Sequence, residues 1–259
     1  MMIFRIIFIF VFAFLQKPEN NPGKRIIFND DFEQSFLDLK YWNYDLGNGC
    51  PELCGWGNKE YQHYTKENVI VRDEKLVIRA TKEADHYLSG RITTKDKIEF
   101  KYGTVEVKAK LPKGKGVWPA IWMLGHDIND NNWPNCGEID IMEYVGRMPG
   151  QIHTTLHTKD SYGISKNTKI SLLNGIEEGF HTYKMQWDEN QIQFFVDDEN
   201  VYTFAPEDKS PEIWPFNKPF YLIINLAIGG HFGGFEVDDS IFPQEFIIDY
   251  IKVYKTPSL

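Results

Sequence analysis

Residues 104–110 read Thr-Val-Glu-Val-Lys-Ala-Lys, with every second side chain apolar. A strand points successive side chains to opposite faces, so this segment lays one face on an apolar layer and the other in water. Similar chemistry recurs along the chain. The runs 69–71 and 76–80 flank Arg72-Asp73-Glu74-Lys75, which reads as a hairpin. The runs 183–187 and 191–196 flank Asp188-Glu189-Asn190, a second hairpin, and 201–204, 221–228 and 246–254 complete the set. No stretch sustains a 3.6-residue apolar period. Short strands broken by turns predict an all-β chain, a sandwich or jelly roll of two antiparallel sheets. No Pro/Ser-rich linker divides this body, so residues 25–259 are expected to form one domain.

Composition limits the partners. Aromatic residues make up 15% of 259 residues, which excludes wholesale disorder. The formal net charge of -9 suits neither nucleic acid nor an anionic lipid surface, and leaves neutral ligands open. A monomer is expected. Arg5 precedes an unbroken apolar run at 6–15, shorter than the about 20 residues of a membrane-spanning helix. Residues 1–15 therefore read as a secretory signal peptide and 16–24 as a polar linker, predicting a secreted or periplasmic protein. Three cysteines are too few for a disulfide scaffold. Cys50 and Cys54 can bridge in an oxidising compartment if their Cα atoms lie within about 7 Å. Cys136 reads as a buried small hydrophobe.

The chemistry concentrates at 136–146, Cys-Gly-Glu-Ile-Asp-Ile-Met-Glu-Tyr-Val-Gly. Glu138, Asp140 and Glu143 place three carboxylates within six residues, although like charges are costly to gather. In a strand, Glu138 and Asp140 share a face and Ile139 and Ile141 take the other. Glu143 has the wrong parity, and one β-bulge between Asp140 and Glu143 would bring it to the same face. Three convergent acids suit glycoside hydrolysis: one attacks the anomeric carbon, and another protonates the leaving oxygen and later activates water. A solvated polar face or a divalent-metal cluster would show the same spacing.

Residues 137–146 closely resemble the signature of glycoside hydrolase family 16, in the E-x-D-x-x-E form of the laminarinase-type endo-β-1,3-glucanases. The likeness extends through Asp45-Leu46-Gly47-Asn48-Gly49, Gly55-Trp56-Gly57-Asn58-Lys59-Glu60, Ser89-Gly90-Arg91-Ile92 and Lys101-Tyr102-Gly103. It continues through Leu111-Pro112-Lys113-Gly114, the segment 118–123, Trp214-Pro215-Phe216, the segment 225–230 and the segment 249–254. The resemblance implies a concanavalin A-like jelly roll with a concave substrate cleft and a retaining mechanism. Glu138 would be the nucleophile, Glu143 the acid/base and Asp140 the assisting carboxylate. Trp118, Trp122 and Trp133 match a platform for the apolar faces of sugar rings. Asn48 and Arg91 match residues that bond glucose hydroxyls, and His157 is expected near the acid/base.

Two positions depart from the family pattern. Thr154 stands where Gly is frequent, and is expected to add a branched side chain near the cleft floor. His231-Phe232 stands where a Trp is frequent. The resemblance also implies a structural Ca2+ on the convex side, held by Asp249 with main-chain oxygens near Asp31 and Glu74; no cofactor is expected for catalysis. The expected activity is endo-cleavage of β-1,3 bonds in laminarin-type glucans. The alternatives are mixed-linkage glucan or algal galactan as substrate, a transglycosylase, and a non-catalytic carbohydrate-binding protein.

Overall fold

The computed structural model describes residues 25–255; the apolar run, the linker and residues 256–259 lie outside the described residues. Eighteen strands form among the described residues. They are β1 (Arg25–Asp30), β2 (Asn43–Tyr44), β3 (Gln62–Tyr64), β4 (Val69–Arg72), β5 (Lys75–Glu83), β6 (His86–Ser89), β7 (Arg91–Thr93), β8 (Glu99–Phe100) and β9 (Gly103–Lys110). There follow β10 (Val117–Gly125), β11 (Glu138–Tyr144), β12 (Gln151–His157), β13 (Thr168–Leu172), β14 (His181–Trp187), β15 (Ile192–Val196), β16 (Glu199–Phe204), β17 (Phe220–Ile228) and β18 (Gln244–Lys255).

One sheet runs β16-β15-β14-β9-β18-β5-β6-β3, with β1 also on β18 and β4 also on β5. The other runs β13-β12-β11-β10-β17-β7-β2, with β8 also on β17. Pairing is antiparallel except between β3 and β6. The expected hairpins form, each by its own turn chemistry. Asp73 and Glu74 both take left-handed φ (50° and 54°), the geometry that lets a two-residue loop follow the strand twist. Asp188 instead folds its carboxylate back onto the N–H groups of Asn190 (2.7 Å) and Gln191 (3.0 Å).

The core lies between the sheets. Val105, Val107 and Ala109 of β9 are fully buried, as their alternation predicts, and join one apolar cluster with Val117, Ile121 and Met123 of β10. Ile139, Ile141 and Met142 of β11 and Ile224, Leu226 and Ile228 of β17 belong to the same cluster. Each such side chain contributes about 1.5–3 kcal/mol by leaving water. Because these residues point inward, their strand neighbours point outward. Trp118, Ala120 and Trp122 of β10, Asn225 of β17 and Arg91 of β7 thereby share the outer face of the eight-stranded sheet. Alternation does not reveal β10 from sequence, since its run Val-Trp-Pro-Ala-Ile-Trp-Met-Leu is apolar on both faces.

Candidate active site

β11 lies inside the eight-stranded sheet, between β10 and β12. Glu138 pairs with His157, Asp140 with Thr155 and Glu143 with His153, and the register shifts between Asp140 and Glu143. Against β10, Met142 pairs with Ile121 and Asp140 with Trp122, so Ile141 is the extra residue. Ile141 and Met142 both turn into the core, and Glu143 emerges on the same face as Glu138 and Asp140. This is the bulge that parity requires. Gly137 sets the start of the strand: its φ is +78°, and a Cβ there would stand 2.9 Å from the Pro215 ring.

Each glutamate is met by an indole edge. Trp133 Nε1 donates to Glu138 Oε2 at 2.6 Å, and Trp118 Nε1 donates to Glu143 Oε1 at 3.1 Å. His157 Nε2 lies 3.3 Å from Asp140 Oδ2 and 4.0 Å from Glu138 Oε1. All three carboxyls hold their protons more tightly than usual. Desolvation pushes Glu138 up to about 8, helped by the charge of Asp140 and opposed by His157 and the Trp133 indole. Desolvation also pushes Glu143 up to about 7, with Glu138 adding repulsion and His157 opposing it. Asp140, almost fully buried, is raised for the same reason, with repulsion from Glu143.

Of the residues expected to bind sugar, Trp118, Trp122, Trp133 and His157 stand beside the acids, and Arg91 packs on Trp122. Trp133 is 42% exposed and Trp118 only 9%, the latter edge-on to Phe232. Trp133 therefore offers an open indole face, whereas Trp118 presents its N–H edge to Glu143. Trp122 Nε1 donates to Asn225 Oδ1 at 2.7 Å. Arg91 is sandwiched, its guanidinium carbon 4.3 Å from the Trp56 ring centre and 5.0 Å from that of Trp122, while Asp45 pairs with it at 2.9 Å. Asn48 accepts the N–H of Cys50 (3.2 Å) in the loop whose Gly47 carbonyl takes the Trp56 indole N–H. Cys50 and Cys54 are bridged in this loop, their Cα atoms 4.2 Å apart. Cys136 is buried, and burial pushes its thiol up to about 12.

Two departures resolve structurally. Thr154 does not reach the outer face. His153, Thr155 and His157 pair with the three acids, so Thr154 turns inward with Ile152 and Leu156, its hydroxyl buried without a partner. Phe232 fills the space beside Trp118 and lies edge-on to His153, 4.9 Å between ring centres.

Sequence reasoning assigned no role to a buried polar chain behind Trp122. Asn225 Nδ2 donates to the Tyr64 hydroxyl (3.0 Å), which donates to Glu60 Oε2 (3.3 Å), and Gln62 Nε2 donates to the same oxygen (2.6 Å). Burial raises the proton affinity of Glu60. The period-two spacing of Glu60, Gln62 and Tyr64 was the available signal. Tyr162, 54% exposed, was also missed; it stands edge-on to Trp133 with ring centres 5.4 Å apart and extends the aromatic wall.

Asp31, Glu74 and Asp249 belong to the other sheet and its turns. They line one surface hollow of about 240 Å³ with Glu33, Lys75, Tyr250 and Lys252. Asp249 sits at a bulge between Ile248 and Tyr250 and pairs with Lys108 (2.9 Å) and Lys75 (3.5 Å). Any cation in this hollow would compete with those two lysines for Asp249.

The model of glycosyl hydrolases family 16 matches residues 57–251 of this chain. The chain belongs to that family. It is a glycoside hydrolase, and family 16 enzymes act with retention. Similar solved structures include the laminarinase from Flavobacterium sp. UMI-01, 55% identical, with a TM-score of 0.88 over 89% of this chain and 100% of that one. The β-sandwich is the fold of that enzyme, in agreement with the sequence expectation. The beta-glucanase of Rhodothermus marinus is 38% identical over 92% of this chain and 88% of its own length. Glucan endo-1,3-beta-glucosidase A1 of Niallia circulans is 39% identical over 90% of this chain, which spans 38% of that protein's length.

Proposed function

We propose that this chain is a retaining endo-β-glucan hydrolase that cleaves internal β-1,3-glucosidic bonds of laminarin-type polysaccharides. The observation that carries this reading is the β11 bulge, which gathers Glu138, Asp140 and Glu143 on one outer face beside exposed Trp133. The similarity to laminarinases supports the substrate class.

In this reading Glu138 attacks the anomeric carbon while Glu143 delivers a proton to the departing glycosidic oxygen. Glu143, now a carboxylate, then takes a proton from water, which displaces Glu138 and restores the anomeric configuration. Trp133 donates to Glu138 and so stabilises its charged form. Without substrate, burial raises the proton affinity of both Glu138 and Glu143, whereas the working arrangement needs Glu138 ionised and Glu143 protonated. Asp140 and Glu143 titrate together, and the working state is reached by moving a proton off Glu138. Positive charge developing on the sugar favours that move, because it stabilises an ionised Glu138. Burial raises the proton affinity of Asp140, and in its protonated form it can donate a hydrogen bond to Glu138.

Mass spectrometry of laminarin digests, with NMR of the first-formed anomer, tests the reading. It predicts internal β-1,3 products of the β configuration, and no release by Glu138→Ala or Glu143→Ala. Cleavage confined to lichenan, agarose or carrageenan would refute the substrate, and activity surviving both substitutions would refute the residue roles.

We also propose export, which the Cys50–Cys54 bridge supports because such bridges persist in oxidising compartments. A structural Ca2+ is proposed in the Asp249 hollow. Calcium should raise the melting temperature of the native protein and not that of Asp249→Asn.

A further inference from the structure

Among the described residues, one group of three metal-ligating side chains comes together: Glu138, Asp140 and His157, with one ligand atom from each within 4.8 Å of the others. An ion held tetrahedrally at about 2.0–2.1 Å by its ligands sets them about 3.3 Å apart. His157 Nε2 and Asp140 Oδ2 already stand at 3.3 Å, and Glu138 Oε1 lies 4.0 Å from the same nitrogen. All three atoms lie within 4.8 Å of one another, so rotation of the Glu138 side chain has to bring its oxygen toward both His157 and Asp140.

The surroundings orient these atoms. Trp133 occupies Oε2 of Glu138 and leaves Oε1 for the group. Asp140 is 2% exposed, and its Oδ2 has no hydrogen-bond partner, a buried acceptor aimed at the centre of the cluster. The Glu138 and His157 side chains keep 17% and 12% of their surface, so an ion can enter from the open face and a fourth position stays free for water.

We propose that Glu138, Asp140 and His157 form a binding site for a borderline transition-metal dication such as Zn2+, and that this ion and the polysaccharide exclude one another. An imidazole ligand and a count of three disfavour Ca2+, which takes six to eight oxygens. Two carboxylates balance the charge of the ion. His157 Nδ1 has no partner, so the outer support that strengthens dedicated zinc sites is absent, and binding in the micromolar range is expected. The exclusion rests on the reading of this face as the glucan site; the metal site itself does not.

Calorimetric titration of ZnCl2 into chelator-treated full-length protein tests this. One ion per chain is expected, with at least about tenfold weaker binding in His157→Gln. Substituting CoCl2 should give the visible absorption of a tetrahedral N,O site in the native protein only. The exposed His181–Asp197 pair serves as control: His181→Gln should bind zinc like the native protein. Circular dichroism checks each variant's fold. If His157→Gln misfolds, the native protein pre-loaded with an uncleavable, sulfur-linked laminarihexaose still decides, since zinc uptake should fall. No uptake at millimolar zinc, equal uptake by folded His157→Gln, or uptake indifferent to a hexaose that binds would each overturn the proposal. A hexaose that does not bind metal-free protein refutes the glucan reading instead, and leaves the comparison of native and His157→Gln intact.

Discussion

Glu138→Gln should stabilise the protein while removing its activity, and should stabilise it more at pH 7 than at pH 5. Burial raises the proton affinity of Glu138 from an ordinary 4.5 to about 8. The native state then binds the proton more tightly than the unfolded chain does. Between pH 4.5 and 8, stability therefore falls as pH rises, and below that window the penalty vanishes. At 1.36 kcal/mol per unit, the penalty is about 3 kcal/mol at pH 7 and about 1 kcal/mol at pH 5. The amide is isosteric and uncharged, and its oxygen can still accept the Trp133 indole proton. The variant should gain about 2 kcal/mol more at pH 7 than at pH 5, or about 4–8 °C in melting temperature for a domain of this size. Differential scanning calorimetry of both proteins at the two pH values measures this directly. A pH-independent difference in melting temperature, or a variant less stable than the native protein at pH 7, would refute the idea that Glu138 is held desolvated against its charge. Reducing-sugar release should drop by at least about 10³-fold, as expected when a nucleophile is removed.

Trp133→Phe keeps the ring and deletes the donor to Glu138. A hydrogen bond to a charged group is worth about 1.5–3 kcal/mol, so kcat/KM should fall about 10- to 100-fold. Because the lost donor favoured the carboxylate, the acid limb of the pH–rate profile should move to higher pH. Asn225→Ala leaves the Trp122 N–H and the Tyr64 hydroxyl without their partner. It should cost about 1–3 kcal/mol in urea unfolding and raise KM for laminarin more than it lowers kcat. Cys54→Ser opens the short loop carrying Asn48 and should cost about 2 kcal/mol in thermal unfolding, while native protein treated with a reductant should match it.

The strands that sequence exposes are those with water on one side. β9 alternates because its outer residues are solvated, and its limits fall where the alternation stops. β10 is hidden because its outer face is covered too: Trp118 packs on Phe232, and Trp122 is clasped by Arg91 and Asn225. Such contacts join residues far apart in sequence, 103 positions in Trp122–Asn225 and 161 in Asn225–Tyr64, and no local pattern records them. The inward turn of Thr154 was legible in principle. Once His157 is placed beside the acids, strand parity sends position 154 to the core.

The acids were legible for a different reason. Folding alone favours apolar or well-separated charged residues in the middle of a sheet, and β11 breaks that rule three times in six residues. The structure shows what the violation costs. Of the buried side-chain atoms left without a hydrogen-bond partner among the described residues, Asp140 Oδ2, His153 Nε2 and His157 Nδ1 all sit around this one cluster. A residue that served only the fold would have exchanged these groups for apolar ones, since each unsatisfied polar atom costs about 1–3 kcal/mol. Their concentration on one face, beside two glutamates with raised proton affinity, locates the chemistry independently of any motif. Replacing Asp140 by Val, which keeps neither charge nor hydrogen-bond donor, would separate the two demands. It removes the charge that repels Glu138, so the fold should gain. It also removes the acid proton that can bond Glu138 in the transition state, so kcat should fall, even though Asp140 is neither nucleophile nor proton donor to the sugar. If instead kcat holds while melting temperature rises, Asp140 is a burden on the fold without a share in the reaction, and its place in the triad fails.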